Sequence, residues 1–245
     1  MKTIPNLPYG EEPWKLFDLY LPDVAPRGTA IWFHGGGLEN GSRKDIHFAA
    51  DLVAAGFAIA SVSYRLYPNA HFPEYVEDAA DAAAYIRANY ERLGAGGPLY
   101  VTGQSAGAYL VMLLALDRSR LARHGLSPED FAGFVSDSSQ MTAHFRVLAE
   151  RGFDSRLERI DETAPIFFLD PATTPPPMLV IHYAEDIPCR PEQNRLFVRN
   201  LKVLHPDADV THVELPGGHS SGSTGRGADG AFAFVTTFLK WANKR

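Results

Sequence analysis

The five residues Gly103-Gln104-Ser105-Ala106-Gly107 constrain this chain more than any other stretch of it. An apolar run over residues 98–102 has the length and character of a buried strand, and the alanine-rich run Ala106–Leu116 those of an apolar helix. Almost nothing separates the two. A strand that turns this sharply into a helix pushes the middle residue into an unfavourable backbone conformation and brings neighbouring chain very close. Only the smallest side chains then fit two positions before it and two after, and Gly103 and Gly107 stand at those places. The pattern is that of a nucleophile elbow, with the Ser105 hydroxyl held in the open at a sheet edge. It also lies at a helix N-terminus, where the dipole and free N–H groups favour a developing negative charge.

Such a junction belongs in an α/β architecture, and the rest of the chain reads as one. Residues 15–21 alternate as an edge strand and stop at Pro22-Asp23. Residues 29–33 form a buried strand running into His34-Gly35-Gly36-Gly37; a helix over 45–55 and a strand over 57–64 follow. Residues 73–93 repeat apolar side chains at helical spacing (Val76, Ala79, Ala80, Ala83, Ile86), with Glu74, Glu77 and Asp78 near the end where the dipole favours acids. Beyond the elbow come a strand over 131–136, an irregular segment over 138–177, a strand over 178–183, a helix over 191–204, a strand over 210–215 and a last helix over 229–243. Strands alternating with helices predict a mostly parallel, doubly wound sheet with helices on both faces. At 245 residues, 45% of them hydrophobic and 21% charged, one α/β domain over residues 1–245 is the expected organisation.

Composition narrows the partners. A net charge of −6 speaks against nucleic acid or an anionic membrane. The longest apolar run, 108–116, is too short to span a bilayer, so no membrane insertion is expected. The single cysteine, Cys189, rules out an internal disulfide. Residues 1–10 lack an apolar core of leader length, and the expectation is a cytoplasmic protein. A homodimer is compatible with all of this.

A serine is a weak nucleophile at neutral pH and needs a base to take its proton and a third group to orient that base. In parallel sheets such groups sit beyond the carboxyl ends of strands. Two candidates follow Ser105 in such places: Glu185-Asp186 after residues 178–183, and His219 after residues 210–215, with Gly217 and Gly218 just before it. The chain order Ser, Asp, His is that of elbow-containing hydrolases. Asp186 is preferred over Glu185 as the acid, with Asp137, which also follows a strand, third. His34-Gly35-Gly36-Gly37 supplies what these three lack. Successive glycines let backbone N–H groups point into a site, and those of Gly36 and Gly37 with that of Ala106 could bind an oxyanion. A phosphate loop is excluded, because no Lys follows at P-loop spacing and no Gly-x-Gly-x-x-Gly occurs. His34 itself reads as a brace for the loop.

On these motifs the chain resembles α/β-hydrolase esterases and lipases with a His-Gly-Gly-Gly oxyanion motif. Within them it is most similar to the hormone-sensitive-lipase-like group and to bifunctional feruloyl and acetyl-xylan esterases. The likeness runs from Phe17-Asp18-Leu19-Tyr20-Leu21-Pro22 to the last helix. It includes Ser63-Tyr64-Arg65-Leu66, Phe72-Pro73, Glu77-Asp78 and His182-Tyr183-Ala184-Glu185-Asp186. It implies Ser105 as nucleophile, His219 as base, Asp186 as orienting acid, and Gly36, Gly37 and Ala106 as oxyanion donors. It also implies a small-molecule ester as substrate, with no metal and no cofactor. The family's acid motif is His-Gly-x-x-Asp, so Tyr183 stands where glycine is usual, and Leu38 stands where many relatives carry an aromatic residue.

No large cap domain is expected, so residues 138–177 would form part of the site wall. Phe145, Phe153, Phe167 and Phe168 in it either line an acyl pocket or make the segment's own small core. Arg190 and Arg226 read as solvated surface side chains, and Cys189 as a bystander. His205, His212 and His219 lack ligand-like pairing and are not read as a metal site. The expected chemistry is hydrolysis of small or aromatic acyl esters through an acyl-enzyme, acetyl or feruloyl groups on sugars among them. Amide cleavage of the arylformamidase type is the alternative within the class, and a non-catalytic hydrolase-like binding module the alternative outside it. A dehalogenase would need a carboxylate where the elbow carries Ser105.

Overall fold

The structure, a computed structural model, describes residues 1–244. In chain order the regular elements are β1 (Lys2–Pro8), β2 (Leu16–Leu21), β3 (Gly28–Phe33), α1 (Ala49–Ala54), β4 (Phe57–Val62), α2 (Glu74–Asn89), β5 (Leu99–Gln104), α3 (Ala106–Leu116) and α4 (Arg118–Ala122). They continue with β6 (Gly133–Asp137), α5 (Phe145–Glu150), β7 (Met178–Glu185), α6 (Arg190–Leu204), β8 (Val210–Gly218), α7 (Ser221–Thr224) and α8 (Ala233–Ala242). The strands form one sheet in the order β1-β2-β4-β3-β5-β6-β7-β8. All pairings from β4 through β8 are parallel; β1 and β2 join antiparallel. The central strands β3, β4 and β6 are buried along their whole length, as a sheet covered on both faces requires.

Each face has its own core. Apolar residues of α2, α3 and α6, among them Val76, Ala83, Leu110, Leu114 and Phe197, close one side. Leu52 and Val53 of α1 with Phe234, Phe238 and Trp241 of α8 close the other over Trp32, Ile59, Tyr100 and Tyr183. The sheet is thus doubly wound, as the alternation of elements predicts. Among the described residues no helix is long and apolar enough to cross a membrane.

Two details depart from expectation. β2 is not an edge strand, because β1 pairs outside it, Lys2 opposite Leu21 and Pro8 opposite Leu16. β1 carries two prolines and a register irregularity between Ile4 and Leu7; both are tolerated only where one side of a strand has no ladder to complete, so β1 is the edge. Residues 138–177 are also more ordered than an irregular segment, containing α5 and a 3-10 turn at Pro165–Phe168.

Candidate active site

The elbow is a steric lock. Ser105 has φ 52° and ψ −115°, a conformation that costs a non-glycine residue on the order of 1–3 kcal/mol and persists only when its surroundings over-determine it. They do so here. A Cβ on Gly107 would lie 2.1 Å from the Phe33 carbonyl oxygen, and one on Gly103 would lie 2.6 Å from the Gly107 carbonyl carbon. The Ser105 N–H donates to the Asp137 carbonyl at 2.7 Å, fixing the turn to β6. Ser105 is the N-cap of α3, so the N–H of Ala106 opens the first turn, whose amides have no intrahelical acceptor.

β7 and β8 deliver the other two groups. His219 Nε2 lies 2.8 Å from Ser105 Oγ, and His219 Nδ1 lies 2.5 Å from Asp186 Oδ1. Asp186 also accepts the Ile187 N–H at 2.7 Å, and its side chain is fully shielded from solvent. Burial by itself would raise this carboxyl. The hydrogen bond and charge of His219, with the Ile187 N–H and the Ser138 side chain, outweigh burial and hold it below the ordinary carboxylate value. Of the rival acids, Glu185 is exposed and does not reach His219.

Asp137, the third candidate, sits beneath the group instead. It is 0% exposed and accepts the Ser223 hydroxyl at 2.5 Å, with the Tyr183 hydroxyl on the same carboxyl. Tyr183, the departure from the family's glycine, is also 0% exposed, and its hydroxyl accepts the Gly222 N–H at 3.1 Å. Ser138 Oγ accepts the Ser220 N–H at 3.1 Å. Three side chains at the ends of β6 and β7 therefore tie down the loop that carries His219. No sequence pattern signals this, because the ties join residues some 40–90 positions apart.

The glycine loop after β3 completes the site. Gly36 and Gly37 have φ of 108° and 68°, and a Cβ on Gly36 would collide with the Asn40 carbonyl oxygen at 2.1 Å. His34 is 1% exposed, stacks on Tyr64 at 4.4 Å and bonds through Nδ1 to the Gly35 carbonyl at 2.7 Å. Burial pushes it down to about 4, so it is neutral at physiological pH and braces the loop.

Of the aromatic residues in the 138–177 segment, Phe145 lies against the glycine loop, its ring edge 2.9 Å from where a Cβ on Gly37 would be. Phe153 is instead 36% exposed with the Arg151 and Arg159 guanidinium groups over its ring, Phe167 is 51% exposed, and Phe168 packs against the main core. One of the four aromatic residues thus reaches the glycine loop. Arg226 is exposed and pairs with Asp51, as a surface arginine would. Arg190 is a correction: it is 3% exposed and donates to the Ser138 carbonyl at 2.6 Å. Cys189 takes a left-handed conformation at the start of α6 and turns the next side chain inward. Burial pulls the Arg190 guanidinium down to about 10, against the charges of Asp186 and Glu158.

This sheet order and an elbow after its central strand are those of the α/β-hydrolase fold, and esterases are prominent among the proteins it resembles. Residues 17–129 match the family model BD-FAE. Esterase LipC of Mycobacterium tuberculosis is 30% identical over 236 residues, 86% of this chain and 58% of that protein. A kynurenine formamidase of Salmo salar is 29% identical over 138 residues, 55% of this chain and 45% of its own. The chain spans about half the length of these curated relatives. A truncated carbohydrate esterase from gut microbiota superposes with a TM-score of 0.76 over 99% of this chain and 97% of its own, at 18% identity, which is a likeness of fold.

Proposed function

We propose that this chain is a serine-dependent carboxylic ester hydrolase working through an acyl-enzyme, with Ser105 as nucleophile, His219 as base and Asp186 as the acid that orients it. The observation that carries the reading is the hydrogen-bonded line from Ser105 Oγ through the His219 ring to Asp186. Ser105 Oγ attacks the ester carbonyl carbon while His219 Nε2 takes its proton. The N–H groups of Gly36, Gly37 and Ala106 stabilise the oxyanion, and such donors are worth on the order of 10²–10³ in rate each. His219 then hands the proton to the leaving alkoxide, and a water activated in the same way releases the acid. Asp186, ionised across the working range, holds the ring in the right tautomer and stabilises the imidazolium. This chemistry draws on no cofactor. Small or aromatic acyl groups fit a wall that brings Phe145 to the oxyanion loop, and acetyl or feruloyl esters of sugars are the substrates of choice.

Formamide cleavage is the second reading, favoured by the likeness to kynurenine formamidases. The test is a pre-steady-state assay with nitrophenyl esters of two, four and eight carbons beside N-formylkynurenine, wild type against Ser105→Ala. A burst of one product per site, lost in the variant together with on the order of 10⁶ of kcat, is the expected result. Turnover of the formamide alone would move the assignment to amide hydrolysis. A folded protein that turns over neither would reject both.

A further inference from the structure

A cavity of about 480 Å³ lined by Trp14, Tyr64, Arg65, Leu66 and Asn69 lies outside the site just described. Its position follows from the strand pairing. β2 runs antiparallel to β4, so its first residues lie at the carboxyl end of the parallel strands; the Leu16 carbonyl accepts the Ser63 N–H at 2.9 Å, and Trp14 is two residues earlier. That edge also bears Ser105 and the glycine loop. The cavity shares a wall with the loop, since Tyr64 stacks on His34 and its hydroxyl donates to the His34 carbonyl at 2.8 Å. The Tyr67 N–H reaches the Leu38 carbonyl at 2.8 Å, a second tie between the two segments. From β4, which leads into the cavity, to β5, which carries Ser105, is two strand spacings, roughly 10 Å.

The lining specifies a ligand class. Trp14 is 40% exposed, whereas Trp32 and Trp241 are 1% and 4% exposed. The Arg65 guanidinium lies over the Trp14 ring at 5.5 Å and holds it in place. Arg65 is itself held by both oxygens of Asp78, at 2.9 and 3.0 Å, and by Glu74 at 2.8 Å. Its charge is therefore balanced, which disfavours an anion. A flat apolar ligand would leave the exposed Asn69 amide and the arginine edge without partners. A pyranose presents an apolar C–H face to an indole and hydroxyls at its rim to an amide and a guanidinium, which suits Trp14, Asn69 and Arg65 together.

We infer that this cavity is an accessory sugar subsite, in which Trp14 is the stacking platform and Asn69 and Arg65 bond the hydroxyls, holding the carbohydrate part of an ester whose acyl group lies at Ser105. The inference deepens the ester-hydrolase reading and rests on it for the position of the acyl group, while the sugar contact can be measured without turnover.

Two readouts test it. The first is the ratio of kcat/KM on an acetylated xylo-oligosaccharide to kcat/KM on nitrophenyl acetate. Trp14→Ala should lower that ratio about tenfold, chiefly through KM on the oligosaccharide, as loss of one stacked ring predicts. Trp14→Tyr should restore most of it. A ratio that does not move in Trp14→Ala overturns the subsite. The second is tryptophan fluorescence of the wild-type protein titrated with unesterified xylotetraose. A saturable change absent from Trp14→Ala, with a far-UV spectrum matching wild type, supports the subsite even if no ester is turned over. No change up to millimolar sugar overturns it whether or not the esterase reading stands.

Discussion

Asp137 is held near the site at a cost set by its burial. Its carboxyl is wholly buried, and burial, aided by the charge of Asp186, raises it from an ordinary 3.8 to about 6, against the hydrogen bonds of Ser223 and Tyr183 and the charge of His219. A raised carboxyl means that the folded chain holds this proton more tightly than the unfolded chain does. Its contribution is most favourable below about pH 4, where both states are protonated, and drains away as pH rises to about 6. At 1.36 kcal/mol per unit the swing is about 3 kcal/mol. Asp137→Asn removes it. Urea unfolding of the two proteins across pH 4–7 should therefore show the stability difference moving toward the variant by about that amount as pH rises. A difference independent of pH would mean that Asp137 is not desolvated as described. Against that cost, its carboxyl holds the loop of His219 through the Ser223 hydroxyl.

At the scale of elements, the junction of β3, β5 and α3 is where geometry leaves least room. Gly107→Ala would set a methyl group 2.1 Å from the Phe33 carbonyl and 2.5 Å from that of His34, both backbone atoms that cannot rotate away. α3 must lift or β3 must shift, and β3 leads directly into Gly36 and Gly37. The expected outcome is a loss of about 1–3 kcal/mol or more in stability. In the protein that folds, an ester kcat/KM at least on the order of 10²-fold lower should accompany it, since misplacement by an ångström costs that much. Gly96→Ala, whose Cβ would meet nothing nearer than 3.9 Å, is the control and should change both by little. This junction was legible in the sequence because its constraint is local: five residues carry it. β7, β8 and their loops were legible too, as apolar runs ending in Asp186 and His219. β1 was not, because its residues are exposed or half-buried and broken by two prolines, so its pairing with β2 leaves no pattern. The inward turn of Arg190 and the ties from Asp137, Tyr183 and Ser138 were hidden for a different reason. Each joins residues far apart in the chain, and only the sheet order brings them together.

At the scale of the molecule, the two faces of the sheet serve the site differently. The helices α2, α3 and α6 lie on the face that includes the elbow helix. The aromatic cluster under α1 and α8 buttresses the other. Within that cluster Phe238 is 0% exposed and packs on Phe57 and Tyr100 at 5.3 Å each. Phe57 and Tyr100 lie in the first two positions of β4 and β5, at the sheet edge opposite Ser105. A cavity there should cost stability without displacing Ser105, His219 or Asp186, because the intact length of both strands and the Trp32–Phe48–Phe234 contacts stand between. Phe238→Ala should destabilise the protein by about 3–5 kcal/mol. For a chain of this size that lowers Tm by roughly 6–20 °C. Rate per titrated active site, measured at 25 °C on the fraction that folds, should fall less than about twofold. A large loss of rate per site would show that the packing of α8 reaches the loop of His219 through α7. The sheet would then act as one mechanical unit rather than as a platform with a separable far edge.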